Sequence, residues 1–234
     1  YKRQVHPNKY LMLAQGKFVS SKGRCESFGE GAEGYVPGEG VGSVLLKTLH
    51  RAVADGDRIY GVIKGASINH GGRTHGYTVP NPNAQAEVIS RAFEQAGIDP
   101  STIGYIEAHG TGTSLGDPIE VAGLTKAFEK KTDKKQFCAL GSVKSNIGHG
   151  ESAAGIAGLT KVLLQMRHRQ IAPSLHAGVL NPKIDFTRTP FRVQRELVDW
   201  VRPASHPRRA GISSFGAGGA NAHLLIEGWN SDRK

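Results

Sequence analysis

Residues 104–113, with the sequence Gly-Tyr-Ile-Glu-Ala-His-Gly-Thr-Gly-Thr, join a short apolar strand to a polar, glycine-rich turn. Two further segments follow predicted strands in the same way: Lys-Ser-Asn-Ile-Gly-His at 144–149 and Ser-Ser-Phe-Gly-Ala-Gly-Gly-Ala-Asn at 213–221. In α/β sheets ligands bind at the strand ends, where glycines let the backbone approach closely. The three turns therefore predict a binding or catalytic site built from strand ends.

The segments around this strand carry helix start and stop signals. Residues 81–82, Asn-Pro, predict the start of a helix and Gly97 predicts its end. Residues 117–120, Asp-Pro-Ile-Glu, supply an N-cap, a first-turn proline and a capping-box glutamate for a second helix, which should run to about Lys130. A third helix is predicted over 152–167, where many alanines and glycines indicate close packing on every side, between sheets.

The rest of the pattern is that of further strands. They are predicted at 43–47, 59–69, 103–108, 137–143, 191–200, 209–214 and 223–227, with a short helix at 49–54. Strands that alternate with helices imply an α/β layered fold, and no linker-like composition divides the chain. Residues 1–4 are polar where a domain would normally begin with an ordered element, which favours a piece of a longer protein.

The composition excludes several classes of protein. Hydrophobic residues make up 38% and charged residues 21% of the 234, as in globular domains, and no apolar run reaches membrane-spanning length. Cys25 and Cys138 lack the spacing of metal ligands, and the histidines show no metal-site pattern either, so no metal is predicted. Two cysteines also suit a reducing compartment, and a cytoplasmic protein without membrane association is expected.

The net charge of +10 leaves more than one interpretation open. A nucleic-acid partner is not expected, because lysines and arginines are dispersed and no aromatic platform or reading motif accompanies them. A solvated basic surface is the plain interpretation, and a basic rim that attracts an acidic protein partner is the other. The glycines of residues 38–42 do not predict a dinucleotide loop, because they enter a strand where that loop requires a helix.

The three turns resemble a known family. E-A-H-G-T-G-T at 107–113, K-S-N-I-G-H at 144–149 and S-S-F-G-A-G-G-A-N-A-H at 213–223 match, in order and spacing, motifs of β-ketoacyl synthases, or ketosynthases, of the thiolase-like fold. The resemblance implies the later part of a layered α/β/α/β/α domain. It divides the chain into a remainder of the N-terminal half at 1–80, the C-terminal half at 81–228 and the start of a linker or tail at 229–234.

The resemblance implies a decarboxylative Claisen condensation in polyketide chain elongation. A cysteine would take the growing acyl chain from one acyl carrier protein, and malonyl on a second carrier would lose carbon dioxide to form the attacking enolate. Both substrates would arrive as thioesters on carrier-bound phosphopantetheine, with no cofactor held by the domain itself. The complete domain would be a homodimer.

Two histidines and a lysine are the catalytic candidates. By the motif match, His109 and His149 would stabilise the enolate oxygen, and Lys144 would hold the His149 turn in place. A cation near His149 would also favour the neutral imidazole. A neutral imidazole donates a hydrogen bond to a developing oxyanion without leaving a permanent charge there.

The same match assigns substrate-binding roles. Thr111 and Thr113 match residues that hydrogen-bond the phosphopantetheine arm, and Phe215 matches a gate between the acyl and malonyl sites. Glu151 has two open interpretations: an ion pair with Lys144, or an acid at the positive end of a helix.

The sequence departs from the family pattern at the nucleophile. The family cysteine lies in a D-T-A-C-S-S-S type turn, and neither residues 23–27 nor residues 137–140 resemble it. Cys25 is interpreted as a loop cysteine and Cys138 as an apolar strand residue, so the chain alone is predicted to be inactive. Gly150 after His149 is a second departure, which should loosen that turn.

The subtype and its rivals also rest on short motifs. V-H-P-N-K-Y at 5–10 and the segment from N-H-G-G-R to T-V-P-N-P-N at 69–83 are similar to modular polyketide synthases served by a separate acyltransferase. The alternative is a non-elongating ketosynthase that only passes acyl chains between carriers. Such domains typically lose the histidine that His109 represents. A degradative thiolase is disfavoured by the turn from Lys144 to His149.

Overall fold

The computed structural model describes residues 7–74, 76 and 78–229. The helices are α1 (Pro7–Gln15), α2 (Leu49–Ala54), α3 (Pro82–Ala96), α4 (Gly116–Phe128), α5 (Lys144–Ile147) and α6 (Ala154–His168). The strands are β1 (Val62–His70), β2 (Tyr105–Glu107), β3 (Cys138–Gly141), β4 (Gln170–Ile171), β5 (Phe191–Val193), β6 (Val198–Asp199), β7 (Arg209–Phe215) and β8 (Ala220–Glu227). Among the described residues, no helix has the length and apolar character needed to cross a membrane.

One mixed sheet organises the chain. Its strand order is β1-β8-β7-β2-β3-β5, with β8 antiparallel to both of its neighbours. Strands β7, β2, β3 and β5 are parallel to one another. The carboxyl ends of β2, β3 and β7 therefore meet at one edge of the sheet, and the three polar turns of the sequence follow these ends.

Hydrophobic cores lie on both faces of this sheet. Ile106 of β2 and Leu140 of β3 belong to the core that α3 and α4 cover. Their neighbours Tyr105 and Ala139 belong to a second core with Val162 of α6. Successive residues of a strand point to opposite faces of the sheet. Strands β2 and β3 are buried on both faces, so helices cover the sheet on both sides. The predicted α/β layered arrangement is confirmed.

Helix α3 begins and ends where the sequence predicts. The Asn81 side chain accepts hydrogen bonds from the backbone N–H groups of Asn83 at 3.0 Å and Ala84 at 3.3 Å. Gly97 ends the helix in the left-handed conformation, with φ of 60°. Both signals act within a few residues, which is why they are visible in the sequence.

Two predicted strands are wrong. Residues 43–47 form no strand, and Val44, Leu45 and Leu46 are exposed. A strand requires a partner backbone, and no described strand pairs with this segment. The strand predicted over 191–200 is two strands, because β5 joins the main sheet while β6 pairs with β4 in a separate two-stranded sheet.

Helix α6 is only partly as predicted. It begins at Ala154, after a 3₁₀ turn at Glu151–Ala153, and packs against β7. Thr160 and Leu164 are exposed, so the expected close packing on every side does not hold for the described residues. The described part of the chain supplies one main sheet for this helix, and Gly155 and Gly158 face that sheet, next to Ser214 and Glu107 respectively.

Candidate active site

The two candidate histidines lie together at the sheet edge. The ring centroids of His109 and His149 are 5.3 Å apart, and the rings are inclined by 83°. Both line a cavity of about 710 Å³, together with Thr111, Thr113 and Phe215. Lys144, the sixth predicted site residue, is buried and does not line this cavity.

Two glycines shape the turn that carries His109. Gly110 has a φ of +40°, and a Cβ atom there would lie 2.8 Å from Cβ of Ser142. Gly112 has a φ of +73°, and its Cβ would lie 2.9 Å from the backbone nitrogen of Glu26. Both the left-handed backbone and the lack of space require glycine, so the turn can sit tightly against its neighbours.

Two buried carboxylates of α4 hold this turn. Glu120 accepts hydrogen bonds from the N–H groups of His109 at 2.7 Å and Gly110 at 2.8 Å. Asp117 accepts from the N–H groups of Phe28 at 2.7 Å and Gly112 at 3.1 Å. A buried acid needs such partners, and backbone N–H groups supply them without a countercharge.

These contacts correct the sequence interpretation of α4. Asp117 is not the N-cap, because the helix begins one residue earlier, at Gly116, and Asp117 lies inside its first turn. Glu120 does not close a capping box, since its carboxylate reaches back to the His109 turn. The N-cap residue is Leu115, which makes no side-chain cap bond, while the hydroxyl of Thr113 accepts from the Gly116 N–H at 3.1 Å and so satisfies this first N–H group of the helix.

The turn that carries His149 is bonded to a neighbouring loop. The His149 N–H donates to the Val36 carbonyl at 2.7 Å, and the Gly38 N–H donates to the His149 carbonyl at 2.8 Å. The ring of Tyr35 lies 4.9 Å from the His149 ring. Three parts of the chain therefore position this imidazole: the end of α5, the loop around Val36 and the 3₁₀ turn that follows.

Backbone contacts set the tautomers of both histidines. The Glu151 N–H donates to Nδ1 of His149 at 2.9 Å, and the Phe215 N–H donates to Nδ1 of His109 at 3.4 Å. A neutral imidazole that accepts at Nδ1 carries its hydrogen on Nε2. Each ring is left with one N–H donor for a ligand.

Burial keeps both histidines neutral. It lowers the pKa of His149 to about 3, with smaller contributions from the charges of Lys144 and Lys9. It also lowers the pKa of His109 well below the usual value, and Lys144 and His149 act in the same direction. Lys144 lowers the pKa of His149, as the sequence predicts, but burial of the ring lowers this pKa more.

Two protein-family descriptions match parts of the chain. Residues 60–178 match the family described as "Beta-ketoacyl synthase, C-terminal domain". Residues 2–52 match the family described as "Beta-ketoacyl synthase, N-terminal domain". The chain belongs to the β-ketoacyl synthase family. The predicted membership of the ketosynthase family is thereby confirmed; the first two turns lie within residues 60–178, and the third, at 213–223, lies outside both matched ranges.

Relatives of this ketosynthase chain are polyketide synthases. It is 70% identical over 231 residues to polyketide synthase PksL of Bacillus subtilis, a match that covers 95% of this chain and 5% of the relative. It is 64% identical over 229 residues to polyketide synthase ThaG of Burkholderia thailandensis, covering 97% of this chain and 4% of the relative. The chain thus spans about a twentieth of these curated relatives.

Solved structures confirm the fold. The ketosynthase from module 6 of the bacillaene synthase of Bacillus subtilis superposes with a TM-score of 0.95 at 47% identity, covering 97% of this chain and 41% of that one. The oxazolomycin ketosynthase domain OzmH KS7 of Streptomyces albus gives 0.93 at 55% identity, covering 96% and 40%. The ketosynthase chain has the expected thiolase-like fold and spans about two fifths of these structures.

Three acids that act on Lys144 of the ketosynthase were not predicted as site residues from the sequence. Burial lowers the pKa of Lys144, and the carboxylates of Glu107 and Glu120 oppose this effect. Burial also raises the pKa of Asp117 to about 6 and of Glu120 to about 7. The sequence reasoning gave no site role to these three acids. The sequence does contain one signal for them: each acid lies among residues that must be buried, and a buried acid needs a hydrogen-bond partner.

Glu151 is paired with a lysine other than the one considered. Its carboxylate contacts Nζ of Lys9 at 2.7 Å, a residue of α1. This ion pair is thus with Lys9 and not with Lys144, and the other interpretation agrees with the structure, because Glu151 lies in the first turn of the 3₁₀ helix Glu151–Ala153. Lys9 and Glu151 are 142 positions apart, so no local pattern could have linked them.

Both cysteines of the ketosynthase chain are interior residues. Cys25 accepts a hydrogen bond from the Val36 N–H at 3.2 Å, and Cys138 lies within β3. Burial raises the pKa of each thiol. A thiolate is the reactive form of cysteine, and burial disfavours this form at both positions.

Proposed function

We propose that this chain is part of a ketosynthase that condenses an acyl thioester with malonyl-acyl carrier protein in polyketide chain elongation. The observation that carries the proposal is the pair of neutral imidazoles, His109 and His149, whose centroids lie 5.3 Å apart. Each has an Nε2 hydrogen free of the backbone contacts at Nδ1. Two preorganised donors at one point suit an oxyanion that forms during reaction.

The reaction would proceed by decarboxylation and attack. The carboxylate of the malonyl thioester leaves as carbon dioxide, and the electron pair of the broken carbon–carbon bond moves onto the thioester oxygen. The N–H groups of His109 and His149 would stabilise this enolate. Its carbon then attacks the acyl thioester of the enzyme, a carbon–carbon bond forms, and the cysteine leaves as a thiolate.

The cavity supports a phosphopantetheine substrate. The hydroxyls of Thr111 and Thr113 are 3.2 Å apart and both residues line it, where they would bond the polar arm. The ring of Phe215 lies 5.8 Å from the ring of His109, where it would act as the gate between the acyl and malonyl sites. The net charge of +10 suits an acidic acyl carrier protein as the partner.

The nucleophile would come from a part of the ketosynthase outside this chain, because Cys25 and Cys138 lack a reactive environment. We place the parent domain, a homodimer, in a synthase served by a separate acyltransferase, on the motifs at 69–83. We also propose that the chain consists of a remainder of the N-terminal half at 1–80, the C-terminal half at 81–228 and the start of a linker or tail at 229–234. Of the last segment, residues 230–234 lie outside the described residues.

The test separates acyl loading from condensation in the complete domain. The domain is loaded with an acyl thioester, the acyl-enzyme is detected by intact mass, and malonyl carrier is then added. His109→Ala or His149→Ala should reduce decarboxylation and condensation by about a hundred- to a thousand-fold, because one oxyanion donor is lost. Loading should persist, and Lys144→Ala should weaken the same step indirectly.

His50→Ala serves as the control, because His50 is an exposed histidine of α2. Condensation by His109→Ala at the parent rate would contradict the proposed roles. So would formation of an acyl-enzyme on Cys25 or Cys138 by the 234-residue chain alone. A parent domain that loads acyl chains and never condenses them would establish the non-elongating alternative.

A further inference from the structure

A buried network of three side chains lies behind the site. Glu107 is 1% exposed and Lys161 is 9% exposed, and their Oε2 and Nζ atoms are 2.9 Å apart. The Tyr105 hydroxyl donates to the same carboxylate oxygen at 2.6 Å and accepts from Lys161 at 2.8 Å. The second oxygen, Oε1, accepts from the Val143 N–H at 2.6 Å.

The network joins the two turns that carry the histidines. Glu107 ends β2, two residues before His109, and Val143 immediately precedes Lys144. The hydrogen bond between Glu107 and Val143 therefore ties the end of one strand to the start of the other turn. It runs alongside the bond from the Ala108 N–H to the Gly141 carbonyl at 2.8 Å.

Helix α6 anchors this arrangement from the other side. Lys161 brings its charge to Glu107 from the middle of α6, and Gly158 lets the helix approach so closely that an added Cβ would lie 3.0 Å from Cγ of Glu107. The Glu107 side chain is held by three hydrogen-bonding or charged partners and by this packing. It has little freedom to move.

Stability alone does not account for such a network. Removing two charges from water is expensive, and apolar residues of similar shape often serve a protein core as well or better. A satisfied polar network does, however, fix relative positions more narrowly than apolar contacts do. Among the acids that oppose the fall in the pKa of Lys144, Glu107 also makes the largest contribution.

We propose that Glu107, with Lys161 and Tyr105, is a positioning residue that sets the distance between the His109 turn and the Lys144–His149 turn. The proposal rests on the proposed function, since it is the enolate-stabilising pair that must be spaced correctly. Glu107 does not line the cavity, so it acts through Val143 and the two turns, not on the substrate.

The test uses Glu107→Gln in the complete domain. The amide oxygen still accepts from Val143, while the charge that faces Lys161 is lost. The kcat of malonyl decarboxylation should fall by about tenfold to a hundredfold, the effect of a small displacement of catalytic groups, with the KM for malonyl carrier and the rate of acyl loading unchanged. Glu87→Gln is the matched control, because Glu87 is an exposed glutamate paired with Arg91 on α3.

A double variant separates positioning from stability. In Glu107→Gln alone, the unpaired charge of Lys161 should lower the thermal midpoint. In Glu107→Gln/Lys161→Met no lysine charge is left unpaired, so the midpoint should return towards that of the parent while kcat stays low. Recovery of kcat together with the midpoint would overturn the proposal, as would equal losses of loading and decarboxylation in the single variant. Tyr105→Phe keeps the ring against Trp200 and removes only the hydroxyl. It should show a smaller loss of the same kind, and unchanged kcat there would also count against the proposal.

A readout without turnover distinguishes this proposal from the proposed function. The methyl resonances of Val143, selectively labelled in the complete domain, should shift in Glu107→Gln and not in Glu87→Gln. A parent domain that never decarboxylates malonyl would remove the proposed function, and a shift of Val143 would still support the link between the turns. Unshifted Val143 resonances would overturn the link whatever the parent activity.

Discussion

Among the described residues of this ketosynthase, burial lowers the pKa of three histidines: the half-buried His109 and His149 and the fully buried His223. His109 and His149 form the candidate site, where a neutral ring is the useful form. His223 lies on β8, away from the cavity, and burial lowers its pKa to about 3. Its Nδ1 is 3.1 Å from the Ser213 hydroxyl. The same physical cause thus acts at a site residue and at a residue of the core.

His223 predicts a dependence of stability on pH. In the unfolded chain its pKa is about 6.5, and in the folded chain about 3, so the unfolded state binds the proton between these values. The free energy of unfolding should therefore be fully present above about pH 6.5 and should fall as the pH falls towards 3. In His223→Gln this slope should be smaller by up to about 1.4 kcal/mol per pH unit, the value for one proton.

The measurement is the urea midpoint between pH 4 and pH 7, compared as a difference between the parent and His223→Gln. The raised pKa values of Asp117 and Glu120 act in the opposite direction, and they cancel in this difference. The exposed His50, changed to Gln, is the control and should leave the slope unaltered. Equal slopes for parent and His223→Gln would show that this histidine is not held neutral.

At the scale of single elements, helix α6 shows how two glycines of one helix differ. Gly155 has space, since an added Cβ would lie 3.7 Å from the Ser214 hydroxyl oxygen. Gly158 faces Cγ of Glu107, which its buried network holds in place. The spacing of small residues in the sequence does not distinguish them, because both lie on a stretch rich in alanine and glycine.

Substitution by alanine should act in opposite directions at these two positions. Gly155→Ala should stabilise by about 0.5–1 kcal/mol, because alanine loses less backbone entropy in a helix. Gly158→Ala should destabilise by about 1–3 kcal/mol, because the added methyl overpacks against a side chain that cannot give way. Thermal midpoints of the two variants provide the measurement. A rise for Gly158→Ala would mean that Glu107 is mobile, which would also weaken the positioning role proposed for it.

At the scale of the whole molecule, the described chain leaves large apolar side chains on its surface. Val41 is 99% exposed and Leu45 is 94% exposed, in the segment before α2 that forms no strand. An apolar cavity of about 590 Å³ lies between this segment and the outer side of α6, where Leu164 is also exposed. Contiguous apolar surface of this kind is typical of a face that contacts other protein.

The 234-residue chain on its own should therefore bind an apolar dye and associate as its concentration rises. Leu45→Lys should reduce both effects without lowering the thermal midpoint, because an exposed side chain contributes little to the core. Dye fluorescence and sedimentation provide the measurements. Ala66→Lys, at an exposed position with a small side chain on β1, is the matched control for added charge. A monomeric parent chain without dye binding would contradict this expectation.

Much of the architecture follows from local patterns. The periodicity and caps of α3, the strand at Tyr105–Glu107 and the glycine-rich turn after it depend on residues within one or two turns of chain. Such signals are legible because propensity, capping and glycine conformation act over short distances. The order and spacing of motifs in the three turns likewise predict the family and the six candidate residues from the sequence.

Contacts between distant residues required the folded chain. Glu107 and Val143 are 36 positions apart, and Lys9 and Glu151 are 142 apart. No local rule selects such pairs, because what brings them together is the parallel alignment of β2, β3 and β7 and the docking of helices on the sheet. For the same reason Asp117 and Glu120, which local rules interpret as capping residues, belong to the site, and the segment at 43–47 forms no strand. Burial, which lowers the pKa values of His109, His149 and Lys144, is likewise a property of the assembled fold.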